Sequence, residues 1–475
     1  MVSLNDFSST LNPQECQRAN NGLCALPMLE VVSGKAGVTD YYPEIHITCD
    51  AFNTSLGNTV DFDSRPTLLI PISEPPLKRI IRTFFENGIQ EAICEARNDR
   101  TAMESPGIKS AADLAHRIVE ALYNIKTKII PGLREQGPST IASFSETRDW
   151  INSNIRCIAW HPNCFKLAIA GSDDVVRIFN DTMTLPALKT SSQRWITSMA
   201  WRPFTASELA VGCNNGICLW TIDSTMHFNR QMVCGTVLKY PNHTPVTSIE
   251  WNPDGSLLAS ASINSTDILI WDVDKVASAP LKRVGLPCSL LKWSPDGTSL
   301  FSSTVGNVFR VWATEKKWVP DRWTIGSGSI QSAQWSPCNS FLLFVNSNEP
   351  ILYQLQFVEE QLFTNVSSTK QALPIADLQK VNINGKELGG LPQSIAWDPN
   401  GCYLAIIFKD SPNVAIFSTT ISKYNLSISP SCYLSGSSIS DYPSYICFQS
   451  KNSKNTNSVL TIGWSNGRVQ YFSFL

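Results

Sequence analysis

A tryptophan followed two positions later by a proline recurs through most of this chain: Trp160 with Pro162, Trp201 with Pro203, Trp251 with Pro253, Trp293 with Pro295, Trp335 with Pro337, and Trp397 with Pro399. The steps between the tryptophans are 41, 50, 42, 42 and 62 residues. A repeat of about 40–45 residues is the length of one four-stranded blade, so the longer steps mark insertions. Each tryptophan ends a short apolar run, as in Ile155-Arg-Cys-Ile-Ala-Trp160 and Val246-Thr-Ser-Ile-Glu-Trp251. A tight turn follows. In Asn252-Pro-Asp-Gly255, Ser294-Pro-Asp-Gly297 and Asp398-Pro-Asn-Gly401, proline pre-sets the second turn position and glycine closes the fourth.

The next apolar run leads to a second turn and then to a third run ending in an aromatic residue: Phe179, Trp220, Trp271, Trp312, Tyr353 and Phe417. The distance from the Trp-x-Pro tryptophan is 19, 19, 20, 19, 18 and 20 residues. A spacing that constant fixes the repeat as strand–turn–strand–turn–strand. A seventh unit lacks Trp-x-Pro. Its strands are Tyr445–Phe448, Val459–Trp464 and Arg468–Phe472, with the turn Ser465-Asn-Gly467 between the last two. The fold expected is therefore all-β, a seven-bladed WD40-type β-propeller over 140–475. Blade seven is short of an outer strand. Since closed propellers protect their edges, that strand is expected from within Thr140–Ser145. The repeated aromatics, Trp464 included, are read as filler between blades.

Ahead of the propeller, 1–76 reads as an irregular arm, polar and rich in turns. Leu26–Val32 is its one apolar stretch, an edge strand or docking arm. The segment 77–135 reads as helical and packed on the propeller. There Leu114, Ile118, Leu122, Ile125 and Ile129 line one face, Ser110 and Asp113 open the helix, and Pro131-Gly132 stop it. A shorter helix is expected over Lys78–Cys94. Its basic residues Lys78, Arg79 and Arg82 read as a solvated face. The longest insertion lies at about 356–392.

Charged residues are 16% of the chain, apolar residues 43%, and the net charge is −2. That balance suits a large buried fraction and gives no global field toward nucleic acid or anionic membrane. The fourteen cysteines stand singly and without C-x-x-C pairs. They read as small core hydrophobes in a reducing compartment rather than as metal ligands. The first ten residues have no basic-then-apolar signal pattern, so the sequons at Asn53 and Asn242 read as idle. No run of about 18 apolar residues could span a bilayer. Neither G-x-S-x-G nor a P-loop is present. His161 and His243 sit at turn and strand-entry positions, and Asp173 with Asp174 in a hairpin turn. The expectation is a scaffold with no catalytic residues, cofactor, metal, nucleic acid or small-molecule substrate.

Beyond the generic repeat, several segments occur in a particular order. They are Leu26-Pro-Met-Leu29, the helical segment, Arg156-Cys-Ile-Ala-Trp-His-Pro162, His243-Thr-Pro-Val-Thr-Ser-Ile-Glu-Trp251, Leu291-Lys-Trp-Ser-Pro-Asp-Gly297, Lys386-Glu-Leu-Gly-Gly390 and Leu460-Thr-Ile-Gly-Trp-Ser-Asn-Gly-Arg468. In these the chain resembles the aladin family of WD-repeat nucleoporins. The resemblance implies a component of the nuclear pore complex at the nuclear envelope that supports nucleocytoplasmic transport of protein and mRNA. Its implied partners are other nucleoporins, including a transmembrane nucleoporin that anchors it. A role at the mitotic spindle is also implied. The reading from the repeat alone leaves a second possibility, a WD40 adaptor outside the pore.

Overall fold

The computed structural model describes residues 1–4, 42–43, 45–47, 59–61, 137–180, 187–222, 233–357, 371–383, 386–422, 425–436, 440–450 and 458–474. The chain divides into a unit of 1–63 with 138–475 and a second unit of 64–137. The helices expected over Lys78–Cys94 and 111–130, and the Leu26–Val32 arm, lie outside the described residues. So does the 358–370 part of the long insertion. The rest of that insertion forms the outer strand Leu373–Asp377 and a hairpin of Val381–Ile383 with Lys386–Leu388.

Seven antiparallel sheets follow one another along the chain, each built outward from an innermost strand. The innermost strands are Ile155–Trp160, Ser198–Trp201, Val246–Trp251, Cys288–Trp293, Ile330–Trp335, Pro392–Trp397 and Pro443–Phe448, in blades 1 to 7. The seven-bladed propeller read from the repeat is the fold observed. The turn chemistry is also as read. Gly255, Gly297 and Gly401 have φ near +74° and donate N–H bonds back to Asn252, Ser294 and Asp398. Blade 5 uses Asn339 at φ 61° for the same closure onto Ser336.

The tryptophans at the ends of the inner strands are all buried. In five of the six the buried indole N–H has an acceptor, Trp293 being the exception among the described residues. Trp201 donates to the carbonyl of Ala159, Trp251 to that of Ala200, and Trp335 to that of Lys292. Each acceptor is the residue just before the preceding blade's own tryptophan. Trp160 closes the ring onto Thr461 Oγ1 of blade 7 at 2.8 Å, and Trp397 bonds Thr419 Oγ1 within its own blade. The prolines Pro162, Pro203, Pro253, Pro295, Pro337 and Pro399 sit in the turns that follow. Of the third-strand aromatics, Trp220, Trp271, Trp312 and Phe417 are buried, and Phe179 and Tyr353 are half-buried. Trp464, at the end of blade 7's second strand, is buried against Gln470.

Blade seven's outer strand is not drawn from Thr140–Ser145. Ile45–His46 pairs antiparallel with Val469 and Arg468, while Pro138–Phe144 forms a helix, α1. Ile45 and Ile47 are buried in the cluster that joins blade 7 to blade 1, beside Trp160 and Tyr471. Ile47 N–H bonds Gly467 O at 2.8 Å. A Cβ at Gly467, whose φ is +88°, would stand 1.7 Å from the Ile47 carbonyl oxygen, so only glycine lets the strand approach. The arm read as irregular thus supplies three short strands. Besides Ile45–His46, Val2–Ser3 adds in parallel to blade 5 and Thr59–Asp61 in parallel to blade 1. Segments of two or three residues carry no periodicity to read. Their register comes from the blade edges they join.

Candidate binding scaffold and its closed channel

The innermost strands share an irregularity. In blades 1, 3, 4, 5, 6 and 7 their pairing slips at the second residue: Arg156, Thr247, Ser289, Gln331, Gln393 and Ser444. A bulge re-aims the side chain it carries. Four of these residues, Arg156, Gln331, Gln393 and Ser444, meet the chain's own segment 138–153, which crosses one mouth of the central channel.

That segment reaches every blade. Arg156 of blade 1 bonds Asp174 at 2.6 Å and lies 4.4 Å over the Trp150 ring. Trp150 Nε1 donates to Ile196 O at the entry of blade 2. Ile141 and Trp150 pack on Ile263 of blade 3, with Val305 of blade 4 alongside. The amides of Gln331 in blade 5 and Gln393 in blade 6 both donate to Ser145 O, at 2.8 and 2.6 Å. Arg148 N–H bonds Ser444 O in blade 7, and its guanidinium donates to Ser411 O and covers the Tyr442 ring.

Beneath it lies a cavity of about 290 Å³ lined by the inner strands. Glu146 projects into it, bonding Lys292 Nζ at 3.2 Å and accepting from Ser332 Oγ at 2.6 Å. Glu250 faces the same lysine and accepts the Trp293 N–H. Burial opposes the charge on Lys292, but Glu146 and Glu250 outweigh it and hold the ammonium above its ordinary range. Burial pushes the Glu250 carboxyl up to about 7, against the pull of Lys292.

The remaining sequence candidates fall apart from this cluster. His161 Nδ1 accepts N–H bonds from Asn163 and Cys164, and Nε2 faces Thr205 O at 2.8 Å, a turn-closing role. His243 Nε2 bonds Ser260 Oγ, which also accepts from Trp271. Asp173 pairs with Arg177. Burial raises the Cys157 and Cys288 thiols to about 11, which leaves them protonated. Among the described residues no three His, Cys, Asp or Glu stand close enough to share a metal. Glu146, Trp150 and Lys292 went unremarked in the sequence. A usable signal was present, because the residue four before each Trp-x-Pro tryptophan is polar: Arg156, Thr197, Thr247, Ser289, Gln331 and Gln393.

His243 and Glu250 make opposite demands on pH. Burial, outweighing the nearby Asp267, lowers His243 to about 4. Between about pH 6.5 and 4 the unfolded chain therefore binds the extra proton, and stability falls as pH falls. Glu250 is raised from 4.5 to about 7, so the native state binds the extra proton in that window and stability rises as pH falls. Each contribution is at most about 3 kcal/mol. Urea denaturation at pH 7 and pH 5 is expected to show little net change in the parent protein. His243→Asn should gain stability toward pH 5 relative to the parent, and Glu250→Gln should lose it. Parallel profiles for all three would remove both assignments.

Comparison with known proteins bears on the same residues. The family model described as the Aladin seven-bladed propeller matches residues 136–475. Aladin of Arabidopsis thaliana is 29% identical over 347 residues, covering 68% of this chain and 72% of that protein. The WD repeat-containing protein slp1 of Schizosaccharomyces pombe is 25% identical over 138 residues, 29% of this chain and 27% of that protein. Among solved structures, the Cps50 (Swd1) β-propeller domain of Myceliophteria thermophila superposes with a TM-score of 0.50 at 14% identity, over 68% of this chain and 97% of that one. That last likeness shows the fold alone. The matched region of the family model begins at the channel-crossing segment and runs through all seven blades, and the chain belongs to the aladin family of seven-bladed propellers.

Proposed function

We propose that this chain is a non-catalytic scaffold of the nuclear pore complex, held at the nuclear envelope by protein contacts and supporting nucleocytoplasmic transport. The observation that carries the scaffold reading is the channel mouth. One mouth of the concave centre, where a ligand would gain most burial, is covered by the chain's own residues 138–153, with Ser145, Arg148 and Trp150 bonded to the blades. What remains for partners is the broad outer surface, and about 800 Å² per partner suffices for a stable complex. Membership of the aladin family supports the pore as its place. Among the described residues no helix is long and apolar enough to cross a membrane, and the net charge of −2 offers little hold on anionic lipid. The anchor is therefore assigned to a membrane-embedded nucleoporin.

A fluorescent fusion is expected to mark the nuclear rim in puncta and to turn diffuse when membrane-embedded nucleoporins are depleted. The purified protein is expected not to float with protein-free anionic liposomes at physiological salt. Liposome binding would contradict the protein anchor. A diffuse signal in cells with intact pores would favour an adaptor outside the pore.

A further inference from the structure

Blade 4 and the connection leading into it hold three arginines with no carboxylate partner among the described residues. Arg310, on the third strand Val308–Ala313, is the direct cross-strand partner of Arg322 on the outer strand Val319–Thr324. Both therefore rise from the same face of the blade. Like charges placed directly opposite in a sheet destabilise it. Arg283, in the connection from blade 3, joins them. Its guanidinium nitrogens are withdrawn from solvent, and none has a hydrogen-bond partner among the described residues. Burial and then the charges of Arg283 and Arg322 lower the basicity of Arg310. The neighbouring Cys288 thiol, raised to about 11 by burial, stays neutral and supplies no counter-charge.

The loop beside this group is apolar and exposed. Val284 is 92% exposed and Leu286 54%, and Arg310 Nη2 props the loop by donating to Val284 O at 3.2 Å. Folding gains nothing evident from uncompensated guanidinium groups next to exposed aliphatic side chains. Departures of that kind from local rules are expected at functional sites.

We infer that the corner between blades 3 and 4 docks an acidic segment of a partner protein. Its carboxylates would be taken by the forks of Arg310 and Arg322, with Arg283 adding charge from beneath. An apolar side chain next to them would cover Val284 and Leu286. Guanidinium groups match carboxylates in bidentate geometry. Nucleic acid fits less well. Trp323, next to Arg322, stacks on Phe309 instead of standing free as a platform, and the net charge of −2 provides no wider basic field. The inference concerns a surface the pore reading does not assign, and its test does not depend on cellular location.

The test uses the full chain and a fluorescein-labelled peptide, Leu-Glu-Glu-Glu-Glu-Leu, followed by anisotropy. Saturable, salt-sensitive binding is expected. It should weaken at least tenfold in Arg310→Gln/Arg322→Gln and several-fold in Arg322→Gln alone, which alters an exposed side chain and keeps the fold. Lys316→Gln/Lys317→Gln, in the turn after the third strand, should bind as the parent does. Without peptide, Arg322→Gln should melt about 1–2 °C higher, because it relieves the repulsion with Arg310. Equal binding by the arginine variants, no saturable binding, or tighter arginine-dependent binding of poly-uridine RNA or phosphatidylserine vesicles than of the peptide would each overturn the inference.

Discussion

Ending the chain at Gly467 is expected to abolish cooperative melting. The deleted strand Arg468–Phe474 pairs with Ser458–Trp464 on one side and carries Ile45–His46 on the other. It takes with it the buried side chains Val469, Tyr471, Phe472 and Phe474. Each contributes roughly 1.5–3 kcal/mol, together about 6–12, against a typical stability of about 5–15 kcal/mol. Both neighbouring blades also lose contacts, since Phe474 stacks on Tyr403 of blade 6 and Tyr471 meets Trp160 of blade 1. Scanning calorimetry and soluble yield measure the outcome. A cooperative transition at the parent temperature would mean that the ring does not close through this strand.

Lys292→Met should produce the second large loss, about 3–5 kcal/mol by urea denaturation at pH 7.5. The magnitude follows from leaving charges buried, because removal of one partner of a buried pair strands the other. Here Glu146 loses its ammonium partner, Glu250 loses the charge that draws its carboxyl down, and the bond that fastens the channel-crossing segment to blade 4 is lost. Replacing all three with neutral side chains, Glu146→Gln, Glu250→Gln and Lys292→Met, should recover most of the loss, since no unpaired charge remains. If Lys292→Met costs under about 1 kcal/mol, water in the cavity solvates the carboxylates and the pair does little to hold the segment.

The blades were legible because a propeller writes its period into the sequence. Each inner-strand tryptophan is buried at the same place in its blade, and Trp201, Trp251 and Trp335 each bond a carbonyl of the preceding blade, so the same residue recurs at the same step. Blade 7 was legible without its tryptophan because its second and third strands kept the pattern through Trp464 and Gly467. The outer strand of that blade was misplaced for a physical reason. Ile45–His46 is two residues long, and its register is set by Val469 and Arg468 and by the bare Cα of Gly467, none of which marks the partner in sequence. Thr140–Phe144 mixes β-branched and aromatic residues that suit a strand, yet Pro138 opens α1 at its first position, where proline is favoured.

The channel closure was hidden for a different reason. Ser145, Glu146 and Trp150 make sense only when seven inner strands are brought around them. Blade 3 contributes only apolar packing through Ile263 and the other blades a few bonds each, and no blade contributes enough to leave a local motif. The polar column four residues before each tryptophan was the visible trace. A polar residue inside an otherwise buried inner strand needs a partner; Gln331 and Gln393 find theirs at Ser145 O, while Arg156 pairs with Asp174 and covers Trp150.

One mouth of this scaffold's channel is held covered by its own chain. Hydrogen exchange of the full-length protein, read by mass spectrometry over residues 145–154, tests this most directly. The Arg148 N–H is bonded to Ser444 O, and those of Asn152 and Ser153 to Asp149 O. Protection of these amides is expected to approach that of the inner strand Ile155–Trp160 and to be lost only with global unfolding. Exchange within seconds, as in an exposed loop, would show the channel mouth open to ligands and would contradict the account.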